Sequence, residues 1–545
     1  MFLNLGLDRI CERYCHLHPT TDLEALKRLL AYKPKFMRWA GADLFVVTND
    51  NGERQLCVIE TNSCPSGFSL LFFIECICAL ILYFKKKKKK NGKVNATLAE
   101  DCHPDLVDGV LAVVFDKNDM EATGYAASLA DVMNEKVYVV KHYDNDKDPP
   151  VRFDAEGVMW IRCESTYPKQ KNDKGTSKAS SSAHPVGNSN ANSKKHVRIE
   201  EVVTSTSEKD KTKRREQEQE QERVLEWVPV RAAFRYVTQK PWSRIPINTK
   251  TQLLNPVLCC LAGGRNKNVA AKAYDLLNQQ LQDQPGLHGL AILTPETIKD
   301  VTKAQVPQLI QKFGGVGVVS FLFCFVKNPY TNAGQDVYTI TNATELNNFM
   351  NVKEKYDKFI VQSLIGNSTW SSTTSKGKLF HVGTLPDKNC NTYAADIRMM
   401  VIRILYLYTY IFMYVHYSKE EGWLPIALYS RRARAPLVKD LSDSKFSSWD
   451  MLGTNLSEKK GDNAWNTDTA RLLIMDRKDF NKLGIHTDDL IHGFVQTVLA
   501  VIAIDQMAQR LVDSKGNLDA RAFQSFNDDN FLIQEVLNVS TSDFI

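Results

Sequence analysis

The chain of 545 residues is 43% apolar and 24% charged, which suits a globular protein of two or three domains and excludes a fibrous or wholly disordered class. Its net charge of +6 rests on Lys85 to Lys90, since without them basic and acidic residues both number 63, and no basic field argues for a nucleic-acid partner. The twelve cysteines show no recurring CxxC spacing, against a zinc ribbon or a disulfide scaffold, and Met1 to Asp8 lacks the parts of a secretory signal, so a reducing cytoplasm is the expected compartment.

In chain order, residues 21–34 read as a helix. It leads into Gly41 to Val47, the polar turn Thr48 to Gly52 and the run Val58 to Gly67, a hairpin pattern. Glu60 and Asn62, two apart on a strand, share a face, and Asp43 on the neighbouring strand reaches the same patch. Two carboxylates and an amide oxygen suit Mg²⁺ bridging nucleotide phosphates. An ordinary hairpin with surface carboxylates explains the same letters.

The 17-residue run Phe68 to Phe84 precedes the six lysines and has the minimum look of a membrane span. Glu75 within it would be costly at a bilayer centre. With Ser320 to Phe325 and Ile404 to Tyr417, it interrupts motifs that otherwise read continuously. The three runs read as foreign to the fold, as translated intron would be, ahead of real membrane segments or ordinary apolar insertions.

Residues 105–167 alternate strands with a helix: Gly109 to Phe115, a helix near 121–134, Val137 to Val140 and Val158 to Ile161. This predicts a parallel βαβ unit without GxGxxG. Residues 168–223 are polar, ending in alternating Glu and Gln, and predict a disordered linker. Ala262 to Lys267 is a Gly-rich turn opening the helix Val269 to Leu281. It reads as a plain N-terminal turn capped by Asn266, with anion binding the alternative.

Val326 to Ile340 reads as strand, small-residue loop, strand, with Lys327 placed to meet a phosphate and loop N–H groups placed to fold over it. Lys355 to Gly366 ends a strand in a small-residue turn. In Ala395 to Val401, alternation puts Asp396 and Arg398 on one face. Arg431, Arg432 and Arg434 follow, then the turn Leu452 to Ser457 containing Asn455. Past Gly461 helices dominate, and the apolar face of Thr487 to Leu511 reads as core.

Together these motifs resemble the ATP-grasp ligases, glutathione synthetases in particular, whose metal hairpin runs Asp, turn, Glu-x-Asn, then a Pro/Ser/Gly-rich turn. The hairpin comes first here and last in the bacterial enzymes, a circular permutation of the kind the eukaryotic glutathione synthetases show. The resemblance covers most of residues 36–67 and 225–460. It implies an α+β fold (α/β mixed) with an N-terminal part over 1–100 that carries the hairpin and a suspect insertion at 68–92. A small Rossmann-like domain follows at 101–167, the disordered linker at 168–223, the ATP-grasp domain at 224–460 and a helical region at 461–545.

By resemblance, Asp43, Glu60 and Asn62 hold Mg²⁺. ATP is contacted by Lys327, the lid residues Asn332, Ala333, Gly334 and Gln335, the adenine hinge Gln362, Ser363 and Leu364, and Arg398, Arg432 and Asn455. Lys327 and Arg398 are the catalytic residues. The implied reaction joins a small-molecule carboxylate to an amine or thiol through an acyl phosphate, and relatives are often homodimers. A non-catalytic ATP-binding scaffold is the alternative, or a membrane-tethered protein if residues 68–84 span a bilayer.

Overall fold

The computed structural model describes residues 2–65, 107–144, 146–164, 200–201, 225–310, 323–332, 334–404, 422–441, 444–459, 465–473 and 477–542. Within them the protein is a mixed α+β fold of several sheets and helices, as the sequence pattern implies. The apolar runs expected to be foreign, 68–84 and 405–417, lie outside the described residues, as do residues 320–322. Phe323, Cys324 and Phe325 are described, and Phe323 packs against the core beside Leu364 and Trp370. Cys324 and Phe325 are the first two residues of the strand that carries Lys327, so that end of the run belongs to the fold.

Helices Leu7–Leu17 and Leu23–Leu30 lead into β1 (Trp39–Asn49), which turns back through β2 (Arg54–Asn62) as the expected hairpin. The Asn49 side chain closes the turn, accepting from the Asn51 and Glu53 amides at 3.0 and 2.9 Å.

The next sheet contains β3 (Val110–Phe115), β4 (Val137–Lys141), β5 (Val151–Phe153), β6 (Met159–Glu164), β7 (Glu200–Glu201), β8 (Leu225–Tyr236) and β9 (Gln252–Leu254). Strand β3, helix Asp119–Met133 and parallel β4 form the expected βαβ unit. Strand β8, which falls in the range expected for the ATP-grasp domain, is instead central to this sheet, parallel to β3 and antiparallel to β6. Its apolar letters give a strand but not its partners, because pairing is long-range. Within the expected linker 168–223, β7 pairs with β4 and the rest lies outside the described residues.

Helix Lys267–Gln282 follows, with Asn266 as the expected cap accepting from the Val269 amide. A four-stranded antiparallel sheet then forms in the order β10 (Thr297–Thr302), β13 (Lys358–Ser363), β11 (Cys324–Lys327), β12 (Val337–Ile340). Its own core gathers Val326, Phe349, Phe359 and Val361. The chain then returns to the hairpin's sheet through β14 (Thr373–Thr374), β15 (Gly377–His381), β16 (Ala395–Ile404) and β17 (Gly422–Arg432). A small hairpin of β18 (Ser457–Lys459) and β19 (Trp465–Thr467) precedes β20 (Leu472–Leu473). The sheet order is β14-β15-β1-β16-β17-β20, with β2 on β1.

Helix Thr487–Arg510 packs on β1, β2 and β16. It is the one helix among the described residues long and apolar enough to cross a membrane, and 94% of its apolar window is buried in the protein. Core packing explains that composition, as the sequence reading holds. The helix also carries the fully buried Asp505. Its carboxylate accepts from the Tyr32 hydroxyl (2.6 Å), the Lys35, Phe36 and Met37 amides (3.0, 2.7 and 2.8 Å) and the Gln509 amide (2.8 Å). That fan of donors fixes the entry into β1. Asp505→Ala strands the buried Met37 amide and four part-buried donors and should lower the unfolding free energy by about 3 kcal/mol or more, read from urea denaturation.

Candidate functional site

The seven-stranded sheet built on the hairpin faces the four-stranded sheet across a narrow slot of about 80 Å³. It is lined by Asp43, Phe45, Ile59 and Glu60 on one side and by Phe325, Lys327, Val337, Gln362 and Ser363 on the other. The apolar side chains of Ile365, Trp449 and Leu452 complete its walls. The slot opens into a cavity of about 1330 Å³, and Asp43, Glu60, Asn332, Arg431 and Asn455 border both. Oxygen groups from the amino end therefore do meet Lys327 and Arg398 from far along the chain.

Register explains the meeting. Asp43 on β1 lies opposite Glu60 on one side and Arg398 of β16 on the other, while Asp396 lies opposite Arg431 of β17. Arg398 donates to both Asp43 oxygens at 2.5 and 2.7 Å, and to the Tyr429 hydroxyl oxygen at 3.0 Å. Arg431 reaches Asp43 at 2.9 Å and pairs with Asp396, which also accepts from the Thr454 hydroxyl at 2.8 Å. All four charged groups are buried. Burial by itself would raise the Asp43 carboxyl, and the guanidiniums of Arg398 and then Arg431 outweigh it, holding that carboxyl well below the usual carboxylate range.

A second set of cations stands beside Glu60. Arg265 and Lys267 each come within 3.8 Å of its carboxylate, and Arg265 donates to the Asn62 side-chain oxygen at 3.4 Å. The turn before them lies tight on the hairpin: the Ser63 amide donates to the Gly264 carbonyl, and a Cβ on Gly264 would sit 2.4 Å from that of Ser63. Lys327 donates to the Gln362 side-chain oxygen. Burial, with Lys267 nearby, pushes Lys327 down to about 8. Lys117 lines the larger cavity, and burial, with Arg265 nearby, likewise pushes it down to about 8.

The oxygens expected to hold magnesium do not form an open cage. Both Asp43 oxygens face guanidiniums, the Asn62 oxygen faces Arg265, and Glu60 stands between two cations. The Asn62 side-chain nitrogen is buried without a partner. Among the described residues no group of three or more His, Cys, Asp or Glu could hold a metal ion. A hard octahedral cation needs oxygens free to turn toward it, and this donor set does not fit.

The remaining expected contacts divide. Asn332, Gly334, Gln362, Ser363 and Asn455 line the slot. Gly334 has φ +74°, and a Cβ there would sit 2.6 Å from the Asn455 amide nitrogen. Ala333 lies outside the described residues. The Gln335 carbonyl is held by the Thr331 hydroxyl at 2.8 Å within the loop itself. Leu364 is buried against Trp370 and Leu452, and both its backbone groups bond Ser372, so it does not offer the hinge contact expected of it. The Ser363 amide is likewise taken, by the Glu296 carbonyl at 2.9 Å.

Arg432, expected at the phosphates, stacks on Tyr393 with 4.5 Å to the ring centroid, while Arg431 lines the cavity. Neighbours on a strand face opposite ways, so the inward-facing arginine is Arg431, one residue before the one expected. The sequence offers the Gly-rich turn with Arg265 and Lys267 as an anion site only as the alternative to a plain capped turn, and does not single out Lys117. Two basic residues straddling the Asn266 cap were the available signal.

No protein-family model matches the chain, and no curated protein matches it.

Asp43→Asn leaves two buried guanidiniums without their shared anion, and should destabilise by about 3–5 kcal/mol in denaturant titration. Because the folded carboxyl titrates below its unfolded value, its stabilising effect is present above about pH 4 and is lost as the solution is acidified below that. The variant's stability should therefore fall less steeply with acid than the parent's.

Proposed function

We propose that the cleft binds ATP and that the protein is an ATP-dependent ligase of the ATP-grasp kind, joining a carboxylate to an amine or thiol. One observation carries this reading: Lys327, Gln362, Arg398, Asn455 and the Glu60 hairpin come from separate segments and border one slot and cavity between two sheets. The apolar side chains in the slot's walls, Phe45, Ile59, Phe325, Ile365 and Trp449, suit a base. The cations of Lys117, Arg265, Lys267 and Lys327 suit a triphosphate.

In this reading the γ-phosphoryl group passes to a substrate carboxylate oxygen, leaving ADP. An amine or thiol then attacks the acyl carbon and releases phosphate. The chain contributes position and charge. Lys327, held by Gln362, faces the phosphates. The loop from Asn328 to Asp336 covers them, with Asn332 tied to the Gln239 side chain at 2.9 Å and to the Thr238 carbonyl at 3.1 Å. That cover keeps water from the acyl phosphate.

A second reading, nucleotide binding without transfer, is favoured by the mutual engagement of Asp43, Arg398 and Arg431. ADP release across a panel of carboxylate and amine or thiol substrates separates the two.

Lys327→Ala should weaken ATP binding at least about tenfold, seen as loss of the ATP-induced rise in melting temperature. An unchanged rise would remove the proposed site. The pH dependence has a sign. Bound phosphate favours charged lysine, so affinity should be flat below about pH 7 and fall as pH rises past about 8, where Lys327 and Lys117 lose their protons in the free protein. Calorimetric titration from pH 6.5 to 9.5 checks this.

A further inference from the structure

We infer that the cleft takes its polyphosphate without a divalent metal ion, with Lys117, Arg265, Lys267 and Lys327 supplying the positive charge that a bridging ion brings elsewhere. The inference rests on the nucleotide-binding reading above and concerns how the same cleft neutralises its ligand. Four cations border the slot and cavity. Their tally against the carboxylates is one-sided, because Asp43 and Asp396 are matched by Arg398 and Arg431 in the buried network. Glu121 lines the cavity near Lys117 and Glu60 stands 3.8 Å from Arg265 and Lys267, so two carboxylates are set against these four cations. Glu60 is the one that stands where the slot meets the cavity, on the path of a bound triphosphate.

A divalent ion at Glu60 would sit beside Arg265 and Lys267, each already 3.8 Å from that carboxylate. It would meet like charge there and find little oxygen to replace its water. The Asn62 oxygen is turned to Arg265, and the atom Asn62 leaves without a partner is its nitrogen, a donor. A buried donor without an acceptor suits an anion's oxygen and repels a cation. The lowered lysines point the same way, since buried ammonium groups crowded by other cations gain from an anion among them.

The metal-free and metal-bridged arrangements give Glu60 opposite signs. Where a metal bridges, Glu60 is a ligand and its loss weakens binding. Where protein cations neutralise, Glu60 repels the phosphates and its loss tightens binding.

The test is calorimetric titration of the full chain with ATP, in excess EDTA and in excess magnesium, for the parent and for Glu60→Gln. Inorganic tripolyphosphate serves as a base-free probe. The expected result is binding in EDTA within about threefold of that in magnesium, and about tenfold tighter binding of ATP and tripolyphosphate by Glu60→Gln in EDTA. Binding that needs magnesium, or that weakens in Glu60→Gln, overturns the inference and leaves the nucleotide reading standing. Absence of ATP binding in both conditions overturns that reading, and the inference with it. Glu60 is partly exposed at the cavity edge, and the parent protein's EDTA comparison involves no substitution.

Discussion

The buried ion network of Asp43, Arg398, Arg431 and Asp396 is the constraint on which the cleft depends. It joins three adjacent strands, β1, β16 and β17, through side chains on one face of the sheet. A buried pair of this kind gains little net stability, because desolvation consumes much of the Coulomb attraction, yet losing one member is costly. It therefore acts on register. A slip of one residue along any of the three strands would send a charge to the opposite, apolar face, where helix Thr487–Arg510 packs.

With that register fixed, the rest of the cleft follows by short connections. Glu60 lies across the hairpin from Asp43, and the Ala262 to Lys267 turn lies against the hairpin's end. Gly264 lets the two backbones approach, which sets Arg265 and Lys267 beside Glu60. The four-stranded sheet brings Lys327 to the other wall. Its loop closes on Asn455 at Gly334, where the left-handed backbone and the tight fit both favour glycine. The outcome is a slot whose apolar walls also carry Lys267 and Lys327, opening on a cavity bordered by Lys117 and Arg265.

Much of this was legible in the sequence. The hairpin, the shared face of Asp396 and Arg398, the βαβ unit and the core helix each follow from periodicity, a local property of the chain. What escaped was phase and pairing. Adjacent arginines at 431 and 432 carry no mark of which one faces inward, because the answer depends on the register of β17 against β16. The partners of β8 lie far off in sequence. Asp43 and Asn62 line the cleft, but their engagement with arginines is a matter of side-chain contact that strand alternation does not encode. Lys117, just after β3, is seen to line the cavity only once that strand's end is placed beside it.

Photo-crosslinking with azido-ATP, followed by mapping of the labelled peptides, tests most directly whether these distant segments share one nucleotide. The label should fall on the slot, in peptides from 323–340 and 449–455, and excess unlabelled ATP should abolish it. Label found elsewhere on the chain, or label indifferent to competing ATP, would contradict the account.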